Sequence, residues 1–338
     1  MKNILYNNYE ITKPVTKLNG IKISKESKKL ILRYFEFIFI LTIIALFGHA
    51  AYERNFIWKD DINLWVDTTK KSHDKYRPHN NLGFAYSNIS DQYDKAIYEY
   101  QRALSINPQG SKIYVNLGSV YEKMGREDLA FEMFVKALQI DPDDYKALIH
   151  LADIYQKKGA TGLAVEKLTT ALSINPKALE AYNALGNIYL DNGLTESAFR
   201  EYKKILSIDP DNAQALYNIG LAFDRQDSLQ NAIIYYKKAL RINPDYAQAL
   251  SNLGIIYAKT GRFDEAIDFL RKSLDAGPDD TITLFNLALA YEQAAQINPG
   301  TSSELRKKAI KTYQKLLKID PGDQLALEHL ANLEITIK

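Results

Sequence analysis

The sequence predicts an all-α protein, an α-solenoid of about seven helix-turn-helix units with capping helices, preceded by one transmembrane helix. Three observations predict it. Prolines recur every 34 residues, at Pro108, Pro142, Pro176, Pro210, Pro244 and Pro278, and Pro321 follows after 43. A period of that length is the mark of stacked helix pairs. Small and aromatic residues return at fixed offsets within each period, and one long apolar run stands near the amino terminus.

Residues 1–29 form a basic tail. Residues 1–33 hold eight basic and two acidic residues, so the net charge of +2 for all 338 residues hides a mildly acidic body. Such a body has no electrostatic footprint for nucleic acid. Residues 30–51, LILRYFEFIFILTIIALFGHAA, are the predicted transmembrane helix. The unbroken part from Phe37 to Ala51 spans only about 22 Å, short of the roughly 30 Å hydrocarbon core. Starting at Leu30 lengthens it and takes in Arg33, which can snorkel, and Glu36 one turn away. With the basic excess before the span, the positive-inside rule puts the amino terminus in the cytoplasm and everything after Ala51 outside. A cleaved signal peptide is the rival, with small residues around Gly48-His49-Ala50, and would leave a secreted or periplasmic protein. A buried core helix is the third reading.

Residues 52–75 read as a linker and degenerate capping helix, with Trp65 where a large core residue belongs and His73 in the proline slot. Seven units follow over 76–323, as 76–110, 111–144, 145–178, 179–212, 213–246, 247–280 and 281–323. The first carries one extra residue between its helices and the seventh carries nine. Position 8 of each unit is small: Gly83, Gly118, Ala152, Gly186, Gly220, Gly254 and Ala288. Position 11 is aromatic throughout, from Tyr86 to Tyr291, and position 20 is always alanine, from Ala96 to Ala309. Position 24 is large: Tyr100, Phe134, Leu168, Tyr202, Tyr236, Leu270 and Tyr313. Small residues let two helices approach, rings fill the space between them, and the proline ends the second helix.

In the seventh unit the insertion around Asn298-Pro299-Gly300 is expected to be a surface loop, with Thr301 and Glu304 at capping-box spacing for the next helix. Residues 324–338 are expected to cap the array as a lone helix with Leu327 and Leu330 on its core face and Glu334 in solvent.

Over residues 76–338 the pattern resembles the tetratricopeptide repeat (TPR) family, all signature positions being in register. The resemblance implies a right-handed solenoid whose first helices line a concave groove. In the first helices an asparagine recurs at position 6: Asn81, Asn116, Asn218, Asn252 and Asn286, interrupted by His150 and Ala184. At 100° per residue it points away from the stripe of positions 4, 7, 8 and 11, so it is expected off the core and, by the resemblance, in the groove. An amide there can pair with peptide backbone whatever its side chains. The pattern is similar to the asparagine ladder of O-linked N-acetylglucosamine transferases, whose catalytic domain has no counterpart here. The plainer alternative is one asparagine inherited through duplication.

The neighbours differ between units. Early ones offer Arg77, Lys112, Lys123, Lys146 and Lys157, with Asp153 among them. Later ones offer Tyr217, Leu221, Ile255, Ile282, Phe285 and Leu289. The groove is expected to be basic near the anchor and apolar toward the far end, suited to an extended or helical protein segment with acidic and apolar parts. The alternative is a solvated lysine face with the apolar residues packed between repeats. No unit has a lysine at position 5, so the chaperone-tail clamp of the family is not expected.

There is no cysteine, which excludes disulfides and thiolate metal sites. The five histidines make no metal-ligand spacing, and no nucleotide loop or nucleophile elbow occurs. Carboxylates such as Asp141, Asp143 and Asp144 sit at repeat ends, where turns favour them. The reading is a non-enzymatic, membrane-anchored scaffold for protein–protein interaction, without cofactor or metal. A second reading comes from the linker Arg54 to Gly83, which resembles the stretch joining membrane helix to repeats in multi-spanning glycosyltransferase-like proteins. That would make the chain an accessory subunit or detached half of a glycosylation or envelope-assembly complex.

Overall fold

A computed structural model describes residues 25–57, 60–297 and 300–337. Most of the basic tail, Trp58 and Lys59 of the linker, and Asn298 and Pro299 of the insertion lie outside the described residues. The described residues form seventeen α-helices and one short 3₁₀ turn, with no strand among them. They are α1 (Lys25–Ile57) and α2 (Asp61–Lys71), then the pairs α3 (Tyr76–Ser87) with α4 (Tyr93–Ile106), and α5 (Ser111–Lys123) with α6 (Glu127–Ile140). Next come α7 (Tyr145–Lys157) with α8 (Thr161–Ile174), α9 (Leu179–Asp191) with α10 (Thr195–Ile208), and α11 (Ala213–Arg225) with α12 (Leu229–Ile242). The last are α13 (Ala247–Lys259) with α14 (Phe263–Ala276), α15 (Thr281–Ile297) with α16 (Ser302–Ile319), and the single α17 (Gln324–Ile337). Each helix packs on its partner and then on the next pair, so the architecture is an α-solenoid.

The recurring residues explain the pairing. All seven position-20 alanines are fully buried, from Ala96 to Ala309, which brings the second helix against the first. A Cβ on Gly118 would lie 2.6 Å from the Phe134 ring, and one on Gly220 would lie 2.7 Å from the Tyr236 ring. Only glycine allows that approach. The turn between paired helices takes a left-handed residue: Gly159 supplies it at φ 74°, and in the fifth unit Asp227 adopts φ 55°. The extra residue of the first unit falls in the 3₁₀ turn Ser90–Gln92.

Two expectations at the far end are corrected. The insertion is only in small part a loop: α15 has 17 residues against 13 in α13, and α16 has 18 against 14 in α14. Gln293, Ala294, Ala295 and Gln296 are good helix formers, and both alanines bury against the core, so the extra sequence lengthens both helices. No capping box forms, since Thr301 makes no side-chain cap and Glu304 pairs with Lys308 at 2.6 Å. On α17 the buried residues are Ala326 and Leu333, while Leu327 is 41% exposed and Leu330 half-buried. Leu327 occupies the register that elsewhere packs on the second helix of its own unit, and α17 has no such helix.

α1 contains the one stretch among the described helices, Leu32–His49, long and apolar enough to cross a membrane. Its apolar side chains are exposed, with Phe35 at 64% and Phe47 at 72%. A buried core helix is thereby excluded for this segment. At the solenoid's near end α2 starts from Asp60, whose carboxylate accepts from the Asn63 amide, and packs on α3 with Trp65 half-buried.

Candidate functional site

The first helices of successive units lie side by side, so position 6 of one unit meets the unit before it. Asn116 donates through Nδ2 to Asn80 Oδ1 at 3.1 Å, and Asn218 to Asn183 Oδ1 at 2.6 Å. Asn252 donates to the hydroxyls of Tyr217 at 3.3 Å and Tyr236 at 3.1 Å. In all three the acceptor includes position 5 of the preceding unit. The expectation that this position is off the core is corrected for Asn218, which is 6% exposed. A stripe drawn on one helix misses the contact, because the neighbour that covers Asn218 is another repeat.

The interruptions follow the same rule. Where the preceding position 5 is Val115, Ile149 or Phe285, there is no polar acceptor, and position 6 is His150, Ala184 or His329. The histidines turn to position 12 instead: His150 Nδ1 lies 2.8 Å from Glu122, and His329 Nδ1 lies 2.9 Å from Glu292. Each ring also stacks on position 24 of the preceding unit, His150 on Phe134 and His329 on Tyr313. Asn286 follows Ser251, which is bonded to Thr283, and donates to the Ile282 carbonyl of its own helix at 2.9 Å. Asn81, in the first unit, accepts from Asn80 at 3.3 Å.

These bonds make position 6 a clasp between repeats, and its strength is measurable. Asn218→Ala strands the half-buried Asn183 acceptor and is expected to cost about 1–2 kcal/mol in chemical denaturation. The double variant with Asn183→Ala should lose clearly less than the sum of the two singles. Strict additivity would rule the clasp out.

The basic residues divide. Lys112 and Lys146 line one cavity of about 490 Å³ together with Asn80, Asn116 and the turn carboxylates Asp141, Asp143 and Asp144. The structure thus brings Lys112, Asn116 and Lys146 together with acidic groups of the repeat-end turn. Lys123, itself exposed, caps the end of α3 by donating from its ammonium to the Ser87 carbonyl at 2.8 Å. Arg225, at the same position 13, donates to the Leu190 carbonyl at 3.2 Å and to Asp191 at 2.9 Å. A cation at a helix carboxyl end meets the negative end of its dipole, so Lys123 and Arg225 each tie their repeat to the one before. Lys157 pairs with Asp153 on its own helix at 2.7 Å, and Arg77 lies over the Tyr76 ring.

The apolar residues divide too. Tyr217 packs between Tyr236 and Tyr246, and Phe285 between Tyr313 and His329, so both rings fill repeat interfaces rather than open groove. Burial pushes the Tyr217 phenol up, opposed by its bond to Asn252, and burial also raises the Asp224 carboxyl beside it. Leu221 packs half-buried against the α9–α11 core. Ile255, Asn286 and Leu289 do come together, lining a second cavity of about 630 Å³. Ile282 stands 66% exposed on the same helix as Asn286. Sequence reasoning missed the position-5 acceptors Asn80 and Asn183, the position-12 carboxylates Glu122 and Glu292, and Arg225 at position 13. The signal was present, because the polarity of position 5 in one unit tracks the residue at position 6 in the next.

Among the described residues no group of histidines and carboxylates could hold a metal ion. Sequence profiles described as tetratricopeptide or TPR repeats match residues 88–125, 111–144, 145–177, 186–227 and 225–290, together more than half of the chain. The chain is a tetratricopeptide repeat protein. Such TPR proteins are typically non-catalytic and generally mediate protein–protein interaction. Among solved structures, this TPR chain is similar to one in the Cut9–Hcn1 hetero-tetramer of the APC/C, at 20% identity and TM-score 0.61, covering 82% of this chain and 53% of that one. It is also similar to pilF of Pseudomonas aeruginosa, at 21% identity and TM-score 0.56, covering 66% and 97%. A TPR protein from Parabacteroides merdae matches at 16% identity and TM-score 0.57, covering 77% and 98%. These likenesses show the fold. No curated protein matches the chain.

Proposed function

We propose that this TPR protein is a membrane-anchored scaffold that holds a segment of another protein along its first helices. The observation that carries the reading is the pair of cavities on those helices. One has Lys112, Asn116 and Lys146 in its wall, and the other has Ile255, Asn286 and Leu289. The first, with two ammonium groups and the carboxylates of Asp141, Asp143 and Asp144, suits a part of the segment bearing charges of both signs, and the second suits an apolar part. Asn116 and Asn286 each spend one amide N–H within the protein, on Asn80 and on the Ile282 carbonyl, and each keeps a second N–H and the carbonyl oxygen for a peptide backbone. The exposed apolar α1 supports anchoring, and the basic residues before it support a cytoplasmic amino terminus with the repeats outside. On that topology the repeats start about twenty-five residues after the predicted span.

The full chain in detergent micelles, incubated with solubilised extract of its source cells, is expected to retain a defined protein. Lys112→Glu with Lys146→Glu should reduce its recovery about tenfold while helix content and melting stay unchanged. Recovery of the same proteins by both chains would overturn the basic end of the groove as a binding surface. Retention of the chain in alkaline-washed membranes tests the anchor, and its release would favour the cleaved form.

A further inference from the structure

The nine-residue insertion does more than lengthen two helices. The extra turn of α15 carries Gln296 and the 63%-exposed Ile297 past the point where every other first helix has ended. Across from them stand the end of α13 and the turn into α14. Between these walls lies the cavity of about 630 Å³, lined by Ile255, Lys259, Phe263, Leu289, Gln296 and Ile297 among others. Without the extra turn the α15 wall would end at Gln293, and the part formed by Gln296 and Ile297 would be missing.

Its chemistry is specific. Of the residues lining the groove, Lys259 alone is ionised, and the polar remainder are the amides Asn286, Gln293 and Gln296. The nearby Asp224 carboxyl feels the Lys259 charge but lies outside the groove lining. A cation with apolar walls is complementary to a carboxylate beside a large apolar side chain. Amides carry donors and acceptors that match a peptide backbone. Ile282, Asn286, Leu289 and Gln293 continue the same face along α15 at helical spacing, so the groove is open at its end to a chain longer than one residue.

We propose that the insertion-built groove between α13, α14 and α15 is a docking site for a partner protein segment bearing a bulky apolar side chain next to an aspartate or glutamate. This rests on the scaffold reading above and adds to it the place and the chemistry of recognition. The apolar side chain fills the space between Leu289, Phe263 and Ile297, and the carboxylate meets Lys259.

The test is selection from a displayed library of random twelve-residue peptides on the immobilised full chain in detergent micelles. Enriched sequences are expected to place Leu, Ile, Met, Phe or Trp beside Asp or Glu. A synthetic peptide of that sequence should bind about tenfold or more weakly to Ile297→Asp and to Lys259→Glu, both substitutions at exposed positions that leave the core untouched. Panning on the Lys259→Glu chain should replace the acidic residue with Lys or Arg. Peptides indifferent to both substitutions but lost with Lys112→Glu and Lys146→Glu would overturn this site and leave the scaffold reading standing. A dimer of the chain that Ile297→Asp dissociates would overturn it as well, since the groove would then be covered by a second copy. No enrichment above bare support would sink both readings.

Discussion

Tyr236→Ala is expected to cost about 3–5 kcal/mol of unfolding free energy, the range for removing a large ring from a closed core. The Tyr236 side chain is fully buried. Its ring lies against Gly220 and 5.6 Å from the Tyr217 ring, and its hydroxyl takes the Asn252 amide at 3.1 Å. Truncation therefore opens a cavity inside the fifth unit and removes one of two acceptors holding the sixth. Tyr236→Phe keeps the ring and loses the hydroxyl, for which about 1 kcal/mol is expected. In a solenoid the loss is borne mostly by nearest neighbours. Hydrogen exchange should then show the fifth and sixth units opening first, with α5 and α6 little changed. A Tyr236→Ala chain with an unaltered denaturation midpoint would mean that the rings at position 24 are not the keystone of each pair.

The second large effect is alkaline. Burial pushes the Tyr100 phenol up to about 12, and raises Tyr202, Tyr236 and Tyr313 further. In the unfolded chain these phenols ionise near about 10. The folded state keeps their protons where the unfolded state releases them. Stability is therefore complete below about pH 10 and falls as pH rises through the folded values, by about 1.4 kcal/mol per pH unit for each such phenol. Unfolding midpoints between about pH 9 and pH 11.5 should drop steeply above pH 10. Phenolate absorbance should rise in two stages, the exposed tyrosines first and the buried set only with unfolding. A flat midpoint across that range would contradict the burial of these rings.

The position-6 asparagines mark where reading a single helix stops being enough. On its own helix Asn218 points away from the stripe of Leu216, Ile219, Gly220 and Phe223, and groove exposure follows from that geometry. The residue that decides its role, Asn183, is 35 positions earlier. Lys123 and Ser87 stand in the same relation, 36 apart. Charge and polarity are legible within each helix, but partnership shows only when position 5 of one unit is set beside position 6 of the next, because it is made across the stacking interface rather than along the helix. Of the predicted groove residues, Lys112, Asn116 and Lys146 share one cavity and Ile255, Asn286 and Leu289 another, whereas Tyr217 and Phe285 are packed into interfaces.

The sequence by itself determined the helical repeat. Its signals are local and many times repeated: a proline every 34 residues, a glycine or alanine facing a large side chain, an alanine at every helix crossing. Each is enforced by close packing within one helix pair, so each can be read without knowing the neighbours. Only the tertiary structure decided which polar side chains are clasps and which face open cavities, and that most of the insertion extends α15 and α16. Those outcomes depend on what the adjacent repeat presents, since an amide or ammonium at the stacking interface takes whichever acceptor the next helix brings within reach.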